Sequence, residues 1–210
     1  MRTLFFVALL SLITGKISGQ HTILPQPQKI SYGKNFLPIK GLSVVFQTSP
    51  TKEDRFAATE LSRIIKEQTA LAMPVGSVLS NVKINFNRTG TQPSLPQPNE
   101  PVGKQSREAY SISIKKNGIQ ISSGSSAGLF YAVQTLRQMI VTREGSYYFP
   151  EAEIVDWPSM AYRGFMMDMS HMQLPRIDEI KRQIDFLACG RVISTCFIQK
   201  EALKWMAILC

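Results

Sequence analysis

Two residues stand out by chemical type and by setting: Arg163 and Asp168. Between Ile154 and Ser170 the chain reads as a turn around Asp156-Trp157-Pro158, a buried strand carrying an arginine, and an aspartate where that strand should end. A guanidinium presents a rigid fork of donors that can bridge two neighbouring oxygens. A carboxylate closing a strand either faces a site or orients the next loop. Other chemistry-bearing types offer less. The adjacent acids Glu53-Asp54 and Asp178-Glu179 each open an expected helix, where the helix dipole favours negative charge, so neither pair is read as catalytic. His171 receives no role. Cys189, Cys196 and Cys210 crowd into the last twenty-two residues, a distribution unlike a disulfide framework, and their spacing lacks the close pairs and the histidine of a zinc site. No catalytic residue, metal ligand or cofactor is assigned.

Several elements must position these residues. Pro175 to Leu187 reads as an amphipathic helix, with Ile177, Ile180, Ile184 and Leu187 on one face. Ahead of Ile154, an extended Pro-containing lead-in from Ile23 feeds an edge strand, and Leu42 to Phe46 is a second strand. Thr51 to Thr69 has helical spacing, with Phe56, Leu61, Ile64 and Ile65 apolar. Val82 to Phe86 alternates as a strand does. Gly90 to Gly103 holds four prolines and almost nothing apolar, and reads as an exposed insertion. Tyr110–Ile114 and Gly118–Ile121 flank an Asn-Gly pair, a hairpin signal. Ser125-Ser126 offers a cap to a helix running to about Val141, and Tyr147–Pro150 closes the unit as a short strand. Lacking regular βαβ alternation, the pattern implies an α+β fold: a mostly antiparallel sheet with two helices on one face.

Composition sets outer limits. With 44% hydrophobic and 19% charged residues the chain is ordinary globular protein, neither disordered nor membrane-embedded. The net charge of +9 is spread singly or in pairs without interleaved aromatics, so no nucleic-acid partner is expected. Arg2 followed by the apolar run Leu4–Ile13 has the form of a signal peptide over residues 1–19, too short to span a bilayer. No stable membrane anchor is expected after its cleavage, and the reading is of a bacterial chain exported to the periplasm or secreted.

Three motifs in order carry a resemblance. They are Gly128-Leu129-Phe130-Tyr131-Ala132-Val133-Gln134-Thr135-Leu136-Arg137-Gln138, then Ile154-x-Asp156-x-Pro158, then Tyr162-Arg163-Gly164-x-Met166-x-Asp168-x-Ser170. Together with Leu24-Pro25-Gln26-Pro27 they resemble glycoside hydrolase family 20, the β-N-acetylhexosaminidases. The resemblance implies an accessory α+β domain over 20–152 and, over 153–188, the first strand and helix of a (β/α)₈ barrel. It also implies glycans bearing N-acetylglucosamine or N-acetylgalactosamine as partners. Arg163 would then hold hydroxyls of the terminal sugar, with Asp168 a weaker substrate-binding candidate. Family chemistry is substrate-assisted: the acetamido oxygen attacks the anomeric carbon, an aspartate orients it, and a neighbouring glutamate protonates the leaving oxygen. That Asp-Glu pair belongs to the fourth barrel strand, and 210 residues leave no room for a complete barrel, so the barrel is incomplete and the chain by itself is expected to be inactive. In the family Ser-Arg-His often follows the strand, whereas here Ser170-His171-Met172 stands.

Residues 189–210 show no family pattern and read as an aberrant tail. The expectation is a frame slip near Ala188, since a neighbouring frame can encode an aromatic strand there, with Asp-Gly forced by Trp205-Met206-Ala207. Two other readings remain: a stand-alone carbohydrate-binding or interaction module, for which Tyr147, Tyr148 and Phe149 are the candidate aromatics with at most two on one face, or a non-functional product whose exposed Phe165, Met166 and Met167 would aggregate.

Overall fold

A computed structural model describes residues 23–76, 82–168, 175–192 and 194–198. The expected signal segment, His171 and the chain after 198 lie outside the described residues. Strands β1 (Lys29–Pro38), β2 (Leu42–Phe46), β3 (Val82–Arg88), β4 (Tyr110–Lys115), β5 (Gly118–Ser123), β6 (Val141–Arg143) and β7 (Ser146–Asp156) form one seven-stranded sheet. Its order is β1-β7-β4-β5-β3-β2, with β6 beside β7. Helices α1 (Lys52–Thr69) and α2 (Ser126–Gln138) lie over one face.

The hairpin shows how sequence builds this sheet. Ile112 and Ile114 pair with Ile121 and Ile119, and all four are buried, while Ser111, Ser113, Gln120 and Ser122 fall on the opposite face. Lys116 and Asn117 form its loop, and the positive φ falls on Gly118 at 143°. A side chain there would meet the Lys83 carbonyl at 2.5 Å, so glycine is required by the neighbouring strand as well as by the turn.

Thr51 and Asp54 make a reciprocal capping box at the start of α1, which fixes where the helix begins. Ala57, Ala58, Leu61, Ile64 and Ile65 then reach the core. Each large aliphatic side chain so buried contributes roughly 1.5–3 kcal/mol. Phe56, expected on that face, instead points outward and stacks on Phe130, with ring centroids 6.0 Å apart.

Helix α2 begins at the Ser125 cap, whose hydroxyl accepts from the Gly128 amide at 3.2 Å. It stops at Gln138, short of the expected Val141, because Val141 pairs with Tyr148 in β6. Gly128 sits where helix meets hairpin. A β-carbon there would lie 2.6 Å from the Ala109 carbonyl and 2.0 Å from the Ser123 hydroxyl. Gly128→Ala is therefore expected to cost about 1–3 kcal/mol through overpacking, read as a lower urea midpoint, despite alanine's better helix propensity.

The expected sheet is mostly antiparallel, and the one formed is mixed. β2 and β3 run parallel, as do β3 and β5, while the remaining pairs are antiparallel. For β2 and β3 the cause is the β2-α1-β3 crossover, a true βαβ unit: a helix between two strands returns the chain in the same direction. β7 is also longer than the four-residue strand expected, running unbroken from Ser146 to Asp156. The junction expected after Ala152 thus falls inside a strand whose Ile154 pairs with Ile30 and Ile112. Phe149 is buried in the core and Tyr147 packs against it, so the two of the three candidate aromatics that share a face do not form an exposed platform.

Beyond the sheet, β8 (Gly164–Asp168), α3 (Ile177–Cys189) and β9 (Ser194–Ile198) form a second parallel unit, with Gly164 opposite Ser194. Asp178 and Glu179 occupy the first turn of α3 as expected. β9 lies within the stretch read as a patternless tail, and it pairs in register with β8. Apolar surface is open here: Met166 is 63% and Phe186 76% exposed, with Phe165, Ile177 and Ile184 also exposed.

Candidate functional site

Where the sheet ends and β8 begins, a cavity of about 240 Å³ opens among Gln28, Glu108, Tyr110, Trp157, Arg163 and Arg191. Two carboxylates organise it. Asp156, the last residue of β7, is 2% exposed and accepts from the Gln28 amide at 3.1 Å and from the Trp157 amide at 2.9 Å through one oxygen. Its other oxygen takes the Tyr110 hydroxyl at 2.8 Å and an ion pair from Arg191. Arg191 also donates to Tyr110 Oη at 2.8 Å and Thr135 Oγ1 at 2.9 Å. Burial pushes the Tyr110 phenol well above its ordinary value, partly opposed by the Arg191 charge.

Glu108, the second carboxylate, has its side chain 3% exposed and pairs with both Arg163 and Arg107. Burial raises its pKa, and the two guanidinium groups only partly offset this. Tyr131, on the cavity wall, is pushed up to about 12 by burial and then by the Glu108 charge.

Arg163 stands just before β8. It donates through Nε to the Arg191 carbonyl at 2.9 Å, through Nη1 to the Met160 carbonyl, and through Nη2 to Glu108. A guanidinium has five N–H donors, and these partners engage three. Asp168 closes β8, but its side chain lies outside the described residues, so the two candidates are joined only through the backbone of one strand. With Glu108 and Asp156 both engaged by arginines, the geometry is suited to holding and orienting rather than to proton transfer.

Sequence reasoning passed over Glu108, Arg107 and Glu100, and gave Asp156 no task. An adjacent Arg-Glu pair immediately before a strand was the available signal. The prolines around Glu100 pointed instead to a solvated loop.

Comparison with known proteins bears on this junction. The family model for glycosyl hydrolase family 20, domain 2, matches residues 20–157, most of the chain. This chain belongs to glycosyl hydrolase family 20. A relative, β-hexosaminidase subunit A1 of Dictyostelium discoideum, is 25% identical over 90% of the chain and 34% of its own length. The β-hexosaminidase of Porphyromonas gingivalis is 34% identical over 40% of the chain and 12% of its own length. The chain therefore spans no more than about a third of these curated relatives. Among solved structures, an exo-β-N-acetylglucosaminidase of Vibrio harveyi in complex with N-acetylglucosamine superposes with a TM-score of 0.65 at 20% identity, covering 83% of this chain and 25% of that one. At that identity the likeness speaks for the fold.

For a family 20 chain, the motif residues have physical jobs. Gly128 permits the close approach of α2 to the hairpin, and Asp156 ties the end of the sheet to the residues that lead into β8.

Proposed function

We propose that this chain is the amino-terminal part of a β-N-acetylhexosaminidase that removes terminal N-acetylhexosamine from glycans by substrate-assisted, retaining catalysis. The observation that carries the reading is the family match over residues 20–157, followed directly by the parallel β8-α3-β9 unit. Such a unit is how a (β/α)₈ barrel would begin, and the open apolar faces of β8 and α3 suit surfaces that neighbouring barrel elements would cover.

On this reading the sheet domain is a support and the chemistry belongs to barrel strands beyond these residues. Arg163 would bridge neighbouring hydroxyls of the terminal sugar with its two remaining donors, and Asp168, at the end of β8, is the weaker substrate-binding candidate. N-acetylglucosamine- and N-acetylgalactosamine-containing glycans are the partners, with no cofactor. The run Leu4–Ile13 behind Arg2 supports export to the periplasm or beyond.

The assay is direct. Purified chain incubated with a chromogenic N-acetylglucosaminide is expected to release no chromophore above a no-protein control, and turnover above that control would refute the inactivity of these residues on their own.

A further inference from the structure

We propose that Glu108, supplied by the sheet domain, is a positioning residue for Arg163, and that segment 89–108 is the clasp that holds the two together. The proposal rests on the reading of Arg163 as the sugar-binding arginine.

The clasp is built at both ends. At its start, the Thr89 amide donates to the Ser123 carbonyl at 2.8 Å. At its finish, the Ser125 hydroxyl that caps α2 donates to the Arg107 carbonyl, so the loop is bonded to the helix terminus itself. In between, charges alternate: Glu100, Arg107, Glu108, Arg163. Arg107 Nε lies 2.6 Å from Glu100 and Nη2 3.2 Å from Glu108, while Nη1 donates to the Ser94 carbonyl at 2.7 Å. Three of these four side chains come from the sheet domain and are nearly inaccessible to solvent, so the fourth meets a fixed acceptor.

A second set of bonds grips the segment leading into β8. The Tyr162 hydroxyl donates to the Gln97 carbonyl at 2.8 Å and accepts from the Glu100 amide at 3.1 Å. The Gly103 amide donates to the Pro158 carbonyl at 3.2 Å. Arg163 is thus anchored by its own carboxylate partner and by the tyrosine next to it in sequence, both to one loop. A long side chain loses rotamer freedom when fixed in this way, and that cost is met in folding rather than when a sugar arrives.

The test follows solvent exchange of the Arg163 Nη2 hydrogens, the group that Glu108 binds, by nuclear magnetic resonance in this chain. Glu108→Gln removes the charge while keeping the shape, and Tyr162→Phe removes one hydroxyl from a residue that is 57% exposed. Exchange at Arg163 is expected to rise at least about tenfold in Glu108→Gln and several-fold in Tyr162→Phe, and to return toward the parent rate in Glu108→Asp. The amides of Ile112 and Ile121 should keep their protection, which a general loosening would not allow. Unchanged Arg163 exchange in Glu108→Gln overturns the proposal, and if that variant unfolds, unchanged exchange in Tyr162→Phe does so. No sugar enters this measurement, so its failure counts against the clasp alone. Whether added N-acetylglucosamine shifts the same signal judges the role of Arg163 separately.

Discussion

Asp54→Ala is expected to lower the unfolding free energy by about 3–5 kcal/mol, the range for removing one partner of a buried, hydrogen-bonded ion pair. Asp54 caps α1 through Thr51, accepts from the Ser126 hydroxyl at 2.7 Å in the first turn of α2, and pairs with Arg88 of β3 at 3.0 Å. Its side chain is 2% exposed. One carboxylate thereby joins both helices to the parallel half of the sheet, and its loss leaves the Arg88 guanidinium short of its charge partner. Burial alone would raise the Asp54 pKa, but bonds from Ser126 and Thr51 and the Arg88 charge outweigh it and hold the value below the ordinary 3.8. A carboxyl lowered in the fold adds stability above its unfolded value and loses it as pH falls through the folded one. Urea midpoints should therefore separate Asp54→Asn from the parent at neutral pH, with the gap closing below about pH 4.

Asp156→Ala should be comparably severe, at about 3–5 kcal/mol, because it strands the Arg191 guanidinium and leaves two backbone amides and a buried phenol without their acceptor. The partner offers a control. Removing Arg191 as well eliminates the uncompensated charge, so Asp156→Ala/Arg191→Ala should be no less stable than Asp156→Ala alone. A double-mutant cycle on denaturant midpoints reads the coupling, and additive losses would contradict the shared network.

The parts of this fold legible in the sequence are those whose determinants are local. The hairpin from Tyr110 to Ser123 follows from alternation and a glycine, and the start of α1 follows from Thr51 and Asp54 three residues apart. Direction within the sheet was not legible. Leu42–Phe46 and Val82–Arg88 have the same alternation whether they run parallel or antiparallel, and the crossover between them decides it. The ends of α2 and β7 were set by pairing partners, Tyr148 across a tight hairpin for Val141 and Lys29 from the start of the sheet for Val155. At the candidate site, Arg163 was found through a motif, whereas Glu108 acquires meaning only from what the fold brings to it. A charged residue beside a Pro-rich run looks solvated until an opposite charge from fifty-five positions away is seen to bury with it.

The pairing of β1 with β7 has a consequence for biosynthesis. In the described sheet β1 has no neighbour other than β7, and Gln28 meets Asp156 across 128 positions. On the export reading, the chain crosses the membrane unfolded and amino-terminus first, so its first strand stays unpaired until β7 has followed it across. β8 begins eight positions after β7 ends and is next to emerge. The sheet domain therefore closes at nearly the moment its successor begins to appear, and Trp157 to Arg163 would pass from emerging chain to the clasp with little time exposed.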